Sequence, residues 1–161
     1  MIQNYEGQVL EVKIRNFQAQ DQEIVKTLIL EGLGEHFGRI NPDLNPDLND
    51  IHSTYAQAGH SFVVAEIGGQ IVGTAALVNE SPQIGRIVRV TVSPAQRRAG
   101  IGRLLVEYLV KTAVEQEVTK LLVETNLDWY DAIRLYQRCG FVEYGRDEES
   151  VHLSLVLFEQ E

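Results

Sequence analysis

Residues Val9 to Phe17 alternate, with Val9, Glu11 and Lys13 set against Leu10, Val12 and Ile14, the two-residue period of a strand. From Asp21 the period changes. Ile24, Val25, Leu28, Ile29 and Leu33 follow helical spacing and predict an amphipathic helix that ends near Gly32 and Gly34. Asn41 to Asn49 repeats Asn-Pro-Asp-Leu and reads as a loop, because proline after asparagine favours turns and extended backbone. A short helix is expected over Asp50 to Ala58. Phe62 to Ile67 and Gln70 to Val78 flank Gly68-Gly69, a hairpin signal. A β-branched run from Ile84 to Val92 stops before Pro94, and a long apolar helix follows as far as Gln116. Leu121 to Thr125 reads as a short buried strand. Trp129, Ala132, Ile133 and Tyr136 mark a last helix ending near Gly140. Phe141 to Arg146 and Val151 to Phe158 close the chain as a hairpin around Asp147-Glu148-Glu149.

The expected order is β-α-α-β-β-β-α-β-α-β-β, with residues 1–8 as an extension and 9–158 as one domain. An antiparallel meander joined to a βαβ unit implies a single α/β domain: one mixed, twisted, mostly antiparallel sheet with helices on both faces. At 161 residues the chain is long enough for one well-buried core. No apolar run approaches the roughly 20 residues that span a bilayer, and residues 1–6 lack the features of a signal peptide. With Cys139 alone no internal disulfide can form, which fits a cytoplasmic location. A net charge of −9 argues against a general nucleic-acid binder and suits an amine attracted from solution.

The stretch from Val92 through Ser-Pro-Ala-Gln-Arg-Arg-Ala-Gly-Ile-Gly-Arg to Leu105 joins a strand to a helix through a basic glycine turn. Backbone N–H groups at a helix start lack intrahelical partners, and the dipole there is positive. Gly100 and Gly102 let an anion approach the backbone, while Arg97, Arg98 and Arg103 add positive charge. A phosphate-bearing ligand is expected. Two nucleotide patterns fail. No Gly-Lys-Ser or Gly-Lys-Thr follows, and Leu105 stands where a dinucleotide fingerprint needs its third glycine.

A second constellation, Asp131-Ala-Ile-Arg-Leu-Tyr-Gln-Arg-Cys-Gly-Phe141, lies one strand and one helix later. Together the two segments resemble the GNAT superfamily of N-acetyltransferases. Arg97, Gly100 and Gly102 match its Arg/Gln-x-x-Gly-x-Gly/Ala turn. Ala132, Leu135, Tyr136, Gly140 and Phe141 match its Ala-x-x-Leu/Phe-Tyr-x-x-x-Gly-Phe segment. The resemblance implies that Arg97, Arg98, Ala99, Gly100, Ile101, Gly102 and Arg103 hold the pyrophosphate of acetyl-CoA. It implies that Val90, Thr91 and Val92, on a strand diverging from its neighbour, pair with the pantetheine arm. It makes Tyr136 the general acid for the departing thiolate and Asn126 a cofactor contact, helix capping being the other reading of Asn126.

Many relatives place a glutamate base on the strand that here carries Gly85 and Arg86, so the base is sought elsewhere. Glu124, Glu80 and a water chain are the substitutes, a solvated strand-end charge being the other reading of each glutamate and Glu124 the candidate carried forward, while Arg86 and Arg89 can orient a substrate carboxylate or simply occupy a sheet face. Asp43, Asp47 and Asp50 form an acidic cluster that reads by default as a solvated polar loop, while its place between the first two helices, which borders the acceptor site in relatives, implies that it can recruit an amine. Cys139 reads as a small apolar core residue and not as an acyl carrier, and the histidines show no metal-ligand spacing, so no metal is expected. The implied activity is direct acetyl transfer to a primary amine, on a small molecule, an amino-acid derivative or a protein. The competing reading is a non-catalytic acyl-CoA sensor. No nucleic-acid or membrane partner is expected, and a homodimer through sheet edges or helices is left open.

Overall fold

The computed structural model describes residues 2–3, 9–37, 44–56 and 59–158. Its centre is a seven-stranded mixed sheet built from β3 (Val12–Asn16), β4 (Ser61–Ile67), β5 (Gln70–Asn79), β6 (Ile84–Val92), β7 (Lys120–Asn126), β8 (Val142–Arg146) and β9 (Ser150–Val156). The spatial order is β3-β4-β5-β6-β7-β9-β8, and only the β6–β7 pair is parallel. That parallel pair is joined through α3 (Ile101–Glu115), as a crossover requires. The other helices are α1 (Gln22–Phe37), α2 (Ile51–Tyr55) and α4 (Tyr130–Arg138).

The predicted first strand is not continuous. It breaks at Glu11, so that β2 (Val9–Leu10) pairs with β1 (Ile2–Gln3) in a separate two-stranded sheet and only Val12–Asn16 joins the main one. The alternation gave the strand period but held no signal for the change of partner. The hairpin at Gly68-Gly69 forms as predicted. Both glycines adopt left-handed backbone, φ 56° and 82°, which a tight two-residue connection needs and a side chain would resist.

Each sheet face has its own core. On one face Ile101, Leu105, Val106 and Leu109 of α3 bury against Val63, Ala75, Leu77, Ile87, Leu121 and Val123, with Tyr136 and Phe141 joining from α4 and the chain after it. On the other, Val25, Ile29 and Leu30 of α1 pack with Leu48 and Ile51 on Phe62, Val64 and Ala76. Ile24, predicted on the inner stripe of α1, instead points outward at 57% exposure. Leu105 is fully buried at the centre of the first core. Leu105→Ala is therefore expected to cost about 2–5 kcal/mol, read as a lower denaturation midpoint at unchanged slope.

Candidate functional site

The backbone of β6 creates the site. Thr74 of β5 lies opposite Thr91 and Ala76 opposite Val88, so Arg89 and Val90 together face the single residue Ala75. This bulge needs a left-handed residue, and Arg89 supplies it at φ 57°. Its carbonyl is fixed by a 2.8 Å hydrogen bond from Thr74 Oγ1. On the other edge, β6 and β7 pair only from Ile84↔Lys120 to Arg86↔Leu122. Beyond that register the strands part, and ladder groups of β6 after Arg86 have no strand partner on that side.

A cleft of about 1650 Å³ opens where they part. Val90, Thr91 and Val92 line it from β6, Glu124 and Asn126 from β7, and Tyr136 from α4. At its far end the glycine turn enters. Arg98 at φ 65° and Gly100 at φ 83° are both left-handed, and Gly100 is the N-cap of α3. A chain bent in this way ahead of a helix N-terminus gathers N–H donors for an anion. Arg97, Arg98, Gly100, Gly102 and Arg103 line the cleft, whereas Ala99 stands outside the lining. The Ile101 side chain lines it but is buried in the core, so a ligand would use its backbone. Gly102 is needed for packing: a Cβ there would come within 3.2 Å of Leu135 Cδ2.

Several charges predicted to be available are already engaged. Arg97 Nη1 lies 2.6 Å from Glu35 Oε2 on α1, and its Nε donates to the Val92 carbonyl at 3.3 Å. Arg103 pairs with Glu107 at 2.7 Å, one turn along α3. Glu80 is ion-paired with Arg86 and does not line the cleft. Glu124 lines it, is exposed, and has no hydrogen-bond or ion-pair partner among the described residues. Asp128, which the sequence gave no reason to single out, also lines the cleft. Asn126 ends β7 and caps no helix with its side chain; the N-cap of α4 is Trp129. Tyr136 is buried, meets Phe141 edge-on at 5.9 Å, and its phenol is pushed well above the usual tyrosine value by burial and by the nearby Cys139.

The acidic cluster is mostly structural. Asp50 accepts from Ser53 N and caps α2. Asp47 receives a two-pronged bond from Arg89, Nε to Oδ2 at 3.0 Å and Nη2 to Oδ1 at 2.6 Å, and a third from the Tyr55 hydroxyl at 2.8 Å. Arg89 also donates to Asn45 Oδ1 at 3.1 Å. This clasp ties the loop before α2 to the bulge of β6, so neither Asp47 nor Arg89 is free for a substrate. Asp43 lies outside the described residues. Burial raises the Asp47 pKa and the hydrogen bonds from Arg89 and Tyr55 lower it, the lowering being larger; Tyr55 is pushed up to about 12, mainly by burial. An aspartate held below its usual value lends stability above about pH 4 that disappears as pH falls through the lowered value. Asp47→Asn should lower stability by about 2 kcal/mol at neutral pH and flatten the acid limb of the stability profile. Thermal melts from pH 2 to 8 check both.

A model of the acetyltransferase (GNAT) family matches residues 27–141, which include the bulge, the glycine turn and Tyr136. The chain belongs to the GNAT acetyltransferase family. N-acetyltransferase family 8 member 2 of Rattus norvegicus is 39% identical to this GNAT chain over 118 residues, which are 70% of this chain and 52% of that protein. N-acetyltransferase 8 of the same species is 38% identical over 63% of this chain and 49% of that protein. The chain thus spans about half the length of the curated relatives it matches. Among solved structures, a GNAT-family acetyltransferase from Staphylococcus aureus Mu50 superposes with a TM-score of 0.83 at 23% identity, over 92% of this chain and 100% of that one. The structure of yncA from Salmonella typhimurium with its cofactor acetyl-CoA gives 0.77 at 19% identity, over 94% and 96%. At those identities the likeness is one of fold, and it agrees with the expected mixed sheet between helices. Among the described residues no helix is long and apolar enough to cross a membrane, and no group of three or more His, Cys, Asp or Glu residues could hold a metal ion.

Proposed function

We propose that this chain is an acetyl-CoA-dependent N-acetyltransferase acting by direct transfer to an amine. The observation that carries the proposal is the convergence of the parted β6–β7 pair, the glycine turn and Tyr136 on one cleft. A thioester arm needs a straight channel with backbone donors and acceptors along one wall, and the unpaired edge of β6 is such a wall. The turn from Arg97 to Gly102 supplies N–H groups and positive charge for a pyrophosphate, with Arg103 at its margin. Bound acetyl-CoA brings the activated acetyl group. The chain holds it in line with an amine entering from the side of α1 and Glu124. Backbone N–H groups near Val92 stabilise the developing oxyanion. Tyr136 gives its proton to the departing thiolate, and Glu124 takes the proton that the amine must lose.

Release of free thiol from acetyl-CoA in the presence of a panel of small amines, amino-acid derivatives and peptide amines tests the reading. Turnover with any member supports an enzyme. Tight acetyl-CoA binding with no turnover across the panel would instead establish a sensor of the same fold. For the base, Glu124→Gln should lower kcat by about 100-fold. Glu80→Gln should leave kcat unchanged, since Glu80, unlike its partner Arg86, does not line the cleft.

A further inference from the structure

Glu124 on β7 and His152 on β9 stand directly opposite each other in the antiparallel register. Partners so placed hold their Cβ atoms about 4.5–5.5 Å apart. They also share a face of the sheet. Val123, Val151 and Leu153, their neighbours in sequence, all bury in the core that α3 covers, so Glu124 and His152 point together to the other side. Glu124 lines the cleft there, whereas His152 stands outside the lining, one strand further from β6. The Glu124 carboxylate has no hydrogen-bond or ion-pair partner among the described residues, so none of them holds it away from the ring.

His152 is itself held in place. Its Nε2 lies 3.3 Å from Asp147 Oδ2, and Asp147 Oδ1 accepts from the backbone N–H groups of Glu149 and Ser150, each at 2.8 Å. Those two bonds, with the one from His152, keep the Asp147 carboxyl below the usual aspartate range. An ionised carboxylate only accepts, so the neutral ring carries its proton on Nε2 and leaves the Nδ1 lone pair available. The titratable groups around the ring are Glu124 from β7, Asp147 from the β8–β9 turn and Tyr144 from β8, whose ring centroid lies 6.0 Å away with Lys120 Nζ over it at 5.7 Å. The His152 side chain is 26% exposed and so meets bulk water as well.

We propose that His152, set by Asp147, is a positioning residue and the proton acceptor behind Glu124, an inference that rests on the reading of Glu124 as the base. A lone carboxylate, with an ordinary pKa of about 4.3, is a weak base near neutral pH, whereas an imidazole at about 6.5 is well matched to it. Standing outside the cleft, His152 acts through Glu124. As the amine nitrogen bonds the acetyl carbon and the C–S bond breaks, one amine proton passes to the Glu124 carboxylate. Glu124 gives a proton to His152 Nδ1, directly or through one water, and the imidazolium releases it to bulk water. The thiolate leaves with the Tyr136 proton, which solvent restores. Glu124 and His152 end the cycle as they began it, and Asp147 stays ionised throughout.

Turnover of the full chain with an amine that it acetylates tests this, read as acetylated amine because imidazole itself hydrolyses thioesters. His152→Ala should lower kcat by about tenfold, with the KM for acetyl-CoA within about twofold of wild type, and added imidazole should restore most of the loss. In the Glu124→Gln protein the same substitution should cost nothing further, since the group it acts through is gone. Asp147→Asn keeps an oxygen for the Glu149 and Ser150 N–H groups but presents a donor to Nε2. The ring proton is then forced onto Nδ1, and kcat should fall about as far. Thermal melts confirm that the variants are folded. Wild-type kcat in His152→Ala or Asp147→Asn, a loss that imidazole does not restore, or one that adds in full to that of Glu124→Gln, overturns the relay while an impaired Glu124→Gln keeps Glu124 as the base. Wild-type kcat in Glu124→Gln overturns both. Absence of turnover by the wild type with every amine overturns the relay together with the proposed activity.

Discussion

Gly100→Glu is expected to abolish acetyl-CoA binding while leaving the domain folded. Gly100 has φ 83°, so any side chain there meets the left-handed penalty of about 1–2 kcal/mol. The surroundings add nothing, because no atom lies within 4 Å of the position a Cβ would take. A carboxylate at the start of α3 also interacts favourably with the helix dipole, offsetting part of that cost. The same carboxylate would occupy the place proposed for the pyrophosphate and repel it. Affinity should fall by more than about 100-fold, while the melting temperature drops by only a few degrees. Gly100→Ala separates the two effects, sharing the backbone penalty without the charge, and should keep most of the affinity. Gly102→Ala makes a third comparison, since its cost falls on Leu135 and hence on the seating of α4. A folded Gly100→Glu protein that binds acetyl-CoA within about threefold of wild type would remove the glycine turn from the cofactor site.

The features of this site that were legible in the sequence are those encoded locally. The glycine turn, the helix after it and the hairpin at Gly68-Gly69 each depend on residues adjacent in the chain, and each forms where expected. The break at Glu11 was not legible, since alternation specifies a strand and not which neighbour it pairs with. The bulge at Arg89 and Val90 was hidden for a related reason: it exists only relative to the register of β5. The parting of β6 from β7 came from the family resemblance alone. The Asp47–Arg89 clasp joins positions 42 residues apart, and no periodicity connects a loop aspartate to a strand arginine at that distance. The loop reading of Asp47 and Asp50 therefore carries no sign that one is held by Arg89 and Tyr55 and the other caps α2. Conversely, Glu124 was one glutamate among several in the sequence. The fold separates it from Glu80 by pairing the latter with Arg86 and leaving Glu124 in the cleft without a partner among the described residues.

Tyr136→Phe tests the chemistry itself. Tyr136 is buried against Phe141 and lines the cleft, yet no described group hydrogen-bonds its hydroxyl. The hydroxyl is not among the buried polar atoms left without a partner, so it opens onto the cleft, where a substrate can meet it. Removing this hydroxyl should therefore leave stability within about 1 kcal/mol of wild type or slightly higher, and acetyl-CoA affinity nearly unchanged. Turnover should fall by about 100-fold, the usual effect of losing a positioned general acid. The raised phenol pKa has a definite consequence. Tyr136 stays protonated throughout the neutral range, so it can donate to a thiolate whose conjugate acid has a pKa near 8.5, and no limb of the pH–rate profile below about pH 10 should belong to it. The loss should also shrink with an acetyl thioester of a more acidic thiol, because a better leaving group needs less help from the acid. A Tyr136→Phe protein with wild-type turnover, or one whose deficit is the same for both thioesters, would show that the hydroxyl takes no part in departure of the thiol.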